Sequence, residues 1–517
     1  MRGSMQNKNL INAKKSKNKG LQQLQTIKER MIAGGIPEDE VNTLVDPLKN
    51  ELQRRVCGLV WEHTTTSIPD MEGKIPALIP VTGKNIVNDI NGDNHALIEG
   101  ENLLALMAMQ YTHIDETGKG MIDVIYIDPP YNTGSVSFAY NDKFEKSEWL
   151  SMMDIRLKLA RNLLKDDGVI FISFDDNYLH ECKLLLDDVF GANYLTTICV
   201  EVSKTQGMKV KAAQSGQIVK NHEYVLVCAK DLAKAVRDRR PLYDTAEPYD
   251  THYVTYMGKD LKPHALMDII KGNRYLSSIF EKYGLKISIN NIARLMQIDE
   301  NFKTWIFENA SCIFRSMAAN IDIPNTVTDA LKKDTVIVWA QYILRKTNTG
   351  TIEQMRPFSE TLHYSDGYVQ EYTRTTIRGA LWKGFYSDMM NVGKEGGTEF
   401  KNGKKPKRLI AQLVKWANRP NGIVFDFFAG SGTTGHAVLD LNKEDGGHRQ
   451  FILCTNNELG KKALKTAKKN GYPVGSVEYE DLGVCHAVTY PRMQNIFPNY
   501  PGNNLYYYRI DQDIAEF

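Results

Sequence analysis

Residues 425–442 read FDFFAGSGTTGHAVLDLN. With the preceding Gly-Ile-Val, the stretch is a short apolar strand, a turn over Ala429–Gly432 and a helix opening at Thr433. A strand, a glycine turn and a helix form the first unit of a nucleotide-binding α/β sheet. Gly430, Gly432 and Gly435 match G-x-G-x-x-G, a pattern that also fits a dinucleotide site, or a tight turn in which glycine merely supplies positive φ. No lysine follows the glycines, which excludes a Walker-type phosphate loop. Asp426 ends the strand, Phe427 and Phe428 follow it, and Thr433 and Thr434 open the helix. A carboxylate there repels a pyrophosphate but suits a cationic, hydroxyl-rich nucleoside such as S-adenosylmethionine.

Outward from this unit the α/β rhythm runs in both directions. Upstream come helix-like Glu101–Tyr111, strand DVIYI, helix Ser147–Leu164, strand GVIFISF, helix Asn177–Phe190, and strands near TTICVEV and EYVLVCA. Strands alternating with helices of this length predict a parallel sheet covered on both faces. From Lys230 to about Arg374 the rhythm gives way to mixed helix and loop, then resumes with helix Pro406–Ala417 and the glycine-turn unit. From Leu21 to about Arg55 apolar residues recur at helical spacing, with PEDE at 37–40 as a helix start. The expected fold is therefore a doubly wound, Rossmann-like α/β sheet interrupted by an inserted α+β domain, with a helical headpiece. The expected boundaries are 1–60 for the headpiece, 61–230 and 376–485 for the two halves of the sheet domain, 231–375 for the insert, and 486–517 for a tail whose LYYYRID reads as a final strand.

Composition narrows the partners little. Charged residues make up 24% of the 517 and nearly cancel at +2, so a polyanion must be met by a local basic surface. Seven scattered cysteines contain no C-x-x-C pair, which argues against a zinc site or a disulfide framework and fits a reducing cytoplasm. No apolar run approaches the ~20 residues of a membrane span.

A second stretch, VIYIDPPYNTG at 124–134, also ends an apolar strand in an acid. In open α/β sheets ligands bind beyond the carboxyl ends of the strands, so Asp128 and Asp426 are expected to face one cleft. The two prolines remove two amide donors and fix the path, leaving the Asp128 carboxylate and the Pro129 carbonyl as acceptors. Tyr131 offers a flat face for a base. Such acceptors grip an exocyclic amine and free its lone pair to attack a methyl sulfonium. The plainer reading is a strand ending in a proline turn, with Asp128 as a cap.

Seven ordered segments carry a resemblance: IEGENLLAL (98–106), YIDPPYNTG (126–134), FISFDDNYLHECKLLLDDVFG (171–191), HEYVLVCAK (222–230), KKPKRLI (404–410), DFFAGSGTTGHAV (426–438) and LNKEDGGHRQFIL (441–453). Together they resemble the β-class DNA amino-methyltransferases, most closely the modification (Mod) subunits of type III restriction-modification systems. The resemblance implies a catalytic segment of Asp128, Pro129, Pro130 and Tyr131, with Asp128 also close to the cofactor. It implies an S-adenosylmethionine pocket lined by Asp426, Phe428, Gly430, Gly432 and Thr433 and flanked by Lys405 and Pro406. It further implies extrusion of the target base, with no metal and no covalent intermediate. The chain departs from the family pattern at Thr455, where an acid or amide usually holds the ribose, so Asn456 and Glu458 become the ribose candidates. Glu101 replaces a more usual Asp. The insert falls where the class places its target-recognition domain; Lys234, Arg237, Arg239 and Arg240 are among its basic residues and Arg374, Arg378 and Lys383 follow, each for phosphates or for a solvated surface. The implied partners are double-stranded DNA, a second copy of the chain and a helicase-nuclease restriction subunit. The headpiece reads either as a dimerisation element or as a cap over the sheet.

The expected activity is methyl transfer to the N6 amine of adenine in duplex DNA. The alternatives are N4-cytosine methylation, a catalytically silent DNA-binding subunit of a larger complex, and a dinucleotide oxidoreductase.

Overall fold

The computed structural model describes residues 76–130, 146–206, 208–333, 335–389, 392–398 and 404–511, with scattered positions between 26 and 45. The chain divides into two compact units, residues 1–70 with 144–154, and residues 71–143 with 155–517. In the first, residues 28–33 and 41–42 are helical and Val41 and Val45 are buried; most of the expected headpiece lies outside the described residues.

The second unit is built on one large sheet. Its strands are β1 (Ala77–Pro80), β2 (Asp93–Glu99), β3 (Ile122–Ile127), β4 (Leu164–Phe174), β5 (Tyr194–Glu201), β6 (His222–Ala229), β7 (Leu381–Trp382), β8 (Ile423–Asp426), β9 (Gln450–Thr455) and β10 (Asn503–Asp511). The spatial order is β1-β10-β2-β9-β8-β3-β4-β6-β5-β7, and a short strand at Ile86–Val87 also pairs with β10. Val124, Tyr126, Val169 and Phe171 pack under the helices α4 (Lys407–Ala417) and α5 (Thr433–Asp445) through Leu409, Leu413, Ala437 and Val438. Their strand neighbours Ile125, Ile127, Ile170 and Ile172 are equally buried, so both faces are covered, as the unbroken apolar runs predict. Three further helices precede these: α1 (Asn102–Thr112), α2 (Lys146–Leu163), which leads straight into β4, and α3 (Leu179–Phe190).

One expectation changes. The sheet is not wholly parallel: β6 runs antiparallel to both β4 and β5. The connection from β5 to β6 carries only the short helix Met208–Gln214, and the chain reverses instead of crossing over. The final strand expected at LYYYRID is present as β10, which lies parallel to β2 and antiparallel to β1, with Leu505 and Tyr507 fully buried.

Between β6 and β7 the chain builds separate structure. A six-stranded antiparallel sheet and a three-stranded sheet span Tyr243–Ile377. Helices Leu266–Gly272, Arg274–Lys282, Ile292–Ile298 and Glu300–Glu308 enclose a core of their own around Ile270, Leu276, Phe280, Leu295 and Phe302. The break in sequence rhythm thus marks a real departure from the main sheet.

Candidate active site

Strand β8 lies between β9 and β3, and its residues Val424 and Phe425 pair with Val124 and Ile125. This register sets Asp426 abreast of Tyr126 and puts Asp128 two residues further along the neighbouring strand. Both carboxylates line one cleft with Lys405, Phe428, Gly430 and Thr433. Tyr126, Ser431 and Thr434 also line it.

The turn after β8 is shaped by glycine. Gly430 and Gly432 hold φ of +47° and +73°, a region that side-chain-bearing residues adopt at a cost. Gly432 is the N-cap of α5. Asp426 clasps the turn: Oδ1 accepts from the Phe428 amide at 3.0 Å, and Oδ2 accepts from the Thr434 hydroxyl. From behind, the helix α6 (Tyr490–Ile496) supplies Arg492, which donates to Thr433 Oγ1 at 2.8 Å and to the Ser431 carbonyl at 3.3 Å. The start of α1 is tied in as well, since Asn102 Nδ2 donates to the Phe427 carbonyl at 2.9 Å.

Burial dominates the electrostatics. It pushes the Asp426 carboxyl up to about 7 against the two hydrogen bonds it accepts, and the nearby Asp128 charge adds to the rise. A desolvated acid of this kind favours a cationic ligand. Burial also opposes the charge on Lys405, but Asp128 and Glu223 outweigh it and hold the ammonium above its ordinary range. Lys405 Nζ lies 3.6 Å from Asp128 Oδ1 and pairs with Glu223 Oε2. Burial, with Asp128, raises the Tyr126 phenol, whose oxygen shares a 2.8 Å hydrogen bond with Ser173.

The remaining candidates fall elsewhere. Pro129 is buried beside Asp128, Pro130 is half-buried, and Tyr131 lies outside the described residues. Pro406 is the N-cap of α4. Asn456 is exposed and Glu458 half-buried beyond the end of β9, and neither lines the cleft. Glu101 caps α1, accepting from the Leu103 amide at 2.6 Å and the Leu104 amide at 3.2 Å, and pairs with Arg156. Of the basic residues, Lys234 pairs with Asp166, Arg239 donates to the Ala235, Ala417 and Asp167 carbonyls, Arg374 pairs with Asp250, and Arg378 pairs with Asp244. Those four have protein partners, while Arg237 and Lys383 stay exposed. Sequence reasoning missed Glu223, because a strand taken as parallel would put its first residues at the opposite edge from the cleft.

The DNA methylase family matches residues 122–469, which contain both acid-ended strands and the glycine turn. The type III restriction-modification enzyme StyLTI Mod subunit of Salmonella typhimurium is 29% identical over 445 residues, 76% of this chain and 58% of that one. The probable type III restriction-modification enzyme HindVI Mod subunit of Haemophilus influenzae is 31% identical over 393 residues, 70% of this chain and 50% of that one. The type II methyltransferase M.KpnI of Klebsiella pneumoniae is 26% identical, over 72% of this chain and 83% of that one. The chain thus spans half or a little more of the two Mod subunits. Among solved structures, the M1.HpyAVI–SAM complex aligns at 13% identity and a TM-score of 0.30, covering 72% of this chain and 99% of that one; the fold rests on the strand order above.

Proposed function

The chain belongs to the DNA methylase family, and from that premise we propose that it transfers a methyl group from S-adenosylmethionine to the N6 amine of adenine in duplex DNA. The observation that carries this reading is the single cleft shared by Asp128 and Asp426, ending adjacent strands. The residues suit the cofactor: Asp426 is a desolvated acid that a sulfonium and an amino group would stabilise, and the glycine turn leaves backbone open beside it. Asp426, Phe428, Gly430 and Thr433 are its proposed lining. The cofactor supplies an electrophilic methyl group.

The chain's own groups prepare the nucleophile. An adenine amine is planar because its lone pair is delocalised into the ring. Hydrogen bonds from that amine to the Asp128 carboxylate and the Pro129 carbonyl favour a pyramidal nitrogen and aim its lone pair. Asp426 and Tyr126 are buried on the inner side of this corner. The base reaches the cleft by leaving the duplex, and Tyr131 is its proposed stacking partner. The insert, residues 231–375, is the proposed target-recognition domain, with its own core independent of the sheet.

Likeness to two Mod subunits of type III enzymes supports a place in restriction-modification. Assembly as a homodimer, with a helicase-nuclease restriction subunit, is the companion proposal, tested by solution mass alone and with such a subunit. For the activity, the chain is incubated with DNA and tritiated S-adenosylmethionine, and the DNA is digested to nucleosides. Label in N6-methyl-2′-deoxyadenosine is expected, label in N4-methyl-2′-deoxycytidine would move the assignment to cytosine, and unlabelled DNA would overturn it.

A further inference from the structure

Lys405 is a buried cation shared by two acids, and only one of them faces the cleft. Its side chain is 9% exposed, against 15% for Asp128 and 27% for Glu223. Glu223 is the second residue of β6, and the reversal of that strand brings it to the edge where β3 and β8 end. It stands behind Lys405 and does not itself line the cleft. We propose that Glu223 is a positioning residue: by gripping the Lys405 ammonium it fixes a positive charge beside Asp128 and keeps that carboxylate in its acceptor form next to the second acid, Asp426.

A lysine ammonium is a point charge on a flexible stem, and a desolvated one sheds its proton unless paired. Two carboxylates hold this one in place and in charge. Among the described residues, Lys405, Asp426 and the Tyr126 phenol face Asp128, with Glu223 beyond Lys405. Two acids in one dry cleft tend to share a proton when no cation stands between them. A protonated Asp128 carries an O–H donor and loses part of its capacity to accept from an amine. The Glu223–Lys405 pair therefore sets whether Asp128 can do what the proposed reaction asks, although Glu223 touches no substrate.

The inference rests on the methyltransferase reading only in its kinetic arm. The direct arm follows the carboxyl carbons of aspartate-labelled protein through a pH titration by NMR, with Asp128→Asn identifying the Asp128 signal. Glu223→Gln should raise the Asp128 midpoint by at least about half a pH unit, and Glu223→Asp should hold it near the wild-type value. Should Glu223→Gln fail to fold, Lys405→Gln gives the same readout with a larger rise. An Asp128 midpoint indifferent to Glu223→Gln, or to Lys405→Gln where that variant stands in, overturns the inference. In the kinetic arm Glu223→Gln should lower kcat by about tenfold near neutral pH, move the acidic limb of the pH profile upward and leave cofactor KM within about twofold. An unshifted acidic limb counts against the inference. A shifted Asp128 midpoint in a protein that methylates no DNA would keep the charge network and remove the methyltransferase reading instead.

Discussion

The guanidinium of Arg492, with no exposed surface, donates to the hydroxyl of Thr433 at 2.8 Å from beneath the glycine turn. The same group reaches Glu395 Oε2 at 3.4 Å, and burial draws it down to about 10. A helix close to the end of the described chain thus braces the first residue of α5. Arg492→Met takes one cationic partner from Glu395, which keeps Lys407 and Lys404, and leaves the turn without its brace. The expected loss is about 1–3 kcal/mol of stability, the cost of leaving buried hydrogen-bonding groups unpaired, read by urea unfolding. Arg492→Lys should recover part of it, and a Met variant as stable as wild type would show that the brace is idle.

Gly432 stands at φ +73°, and a Cβ there would meet Met493 Cε at 2.9 Å and Thr489 Cγ2 at 3.3 Å. The methionine methyl is the end of a flexible chain and can move aside. The backbone cannot, so the left-handed conformation is the larger penalty, about 1–2 kcal/mol for an L-residue. Gly432→Ala should weaken binding at the proposed cofactor site, measured by calorimetry, by roughly five- to thirtyfold, the equivalent of that strain. Adding Met493→Ala should restore little of it; full restoration would assign the defect to crowding.

Asp426 gives the proposed cofactor site a pH dependence. Its folded carboxyl, raised to about 7 from an ordinary 3.8, stays protonated where the unfolded chain has already ionised. Its contribution to folding is therefore complete below about 3.8 and is lost as pH rises through about 7. A cationic ligand has the opposite preference and favours the ionised acid. Affinity for S-adenosylmethionine should rise from pH 6 to pH 8, with up to one proton released on binding at the acid end. Asp426→Asn should flatten that rise, and a rise that persists in the variant would place the titrating group elsewhere.

The two acid-ended strands were legible because each packs its information into a few neighbouring residues: an apolar run, an acid, then prolines or glycines. Direction and partnership are not local in that sense. The apolar run of β6 is the same read either way, so its reversal, and with it the approach of Glu223 to Lys405, left no mark in the sequence. LYYYRID announces a strand, but its seat beside β2 pairs residues some four hundred positions apart, as with Tyr506 and Ala96. The departure from the main sheet was legible as a change of rhythm, while the basic residues within and after it were ambiguous, since only the fold pairs Arg374 with Asp250 and Arg378 with Asp244. Thr455 is buried at the end of β9, its hydroxyl turned to the Asn456 carbonyl at 3.3 Å, which no spacing rule foretells.

That long-range pairing of β10 with β2 also fixes an acid response. Tyr507 donates to Glu99 Oε2 at 2.8 Å, and His486 Nε2 lies 2.9 Å from Glu99 Oε1. Burial alone would raise the Glu99 carboxyl, but the hydrogen bonds from His486 and Tyr507 outweigh it and hold the group down to about 2, from an ordinary 4.5. A carboxyl lowered on folding stabilises the protein above its unfolded value and loses that contribution as pH falls through its folded one. Glu99 should therefore act fully above about 4.5 and fade towards about 2. Glu99→Gln should cost about 2 kcal/mol near neutral pH, the scale of hydrogen bonds to a charged group, with the gap from wild type closing as the acid limit is approached. Tyr507→Phe removes one of the donors to Glu99, leaving His486 and Arg509, so its acid unfolding midpoint should move to higher pH while its neutral-pH fold survives. Urea unfolding across pH 2–8 reads both effects, and a Glu99→Gln deficit that stays constant down to pH 2 would mean that packing, not the charge, binds the last strand to the sheet.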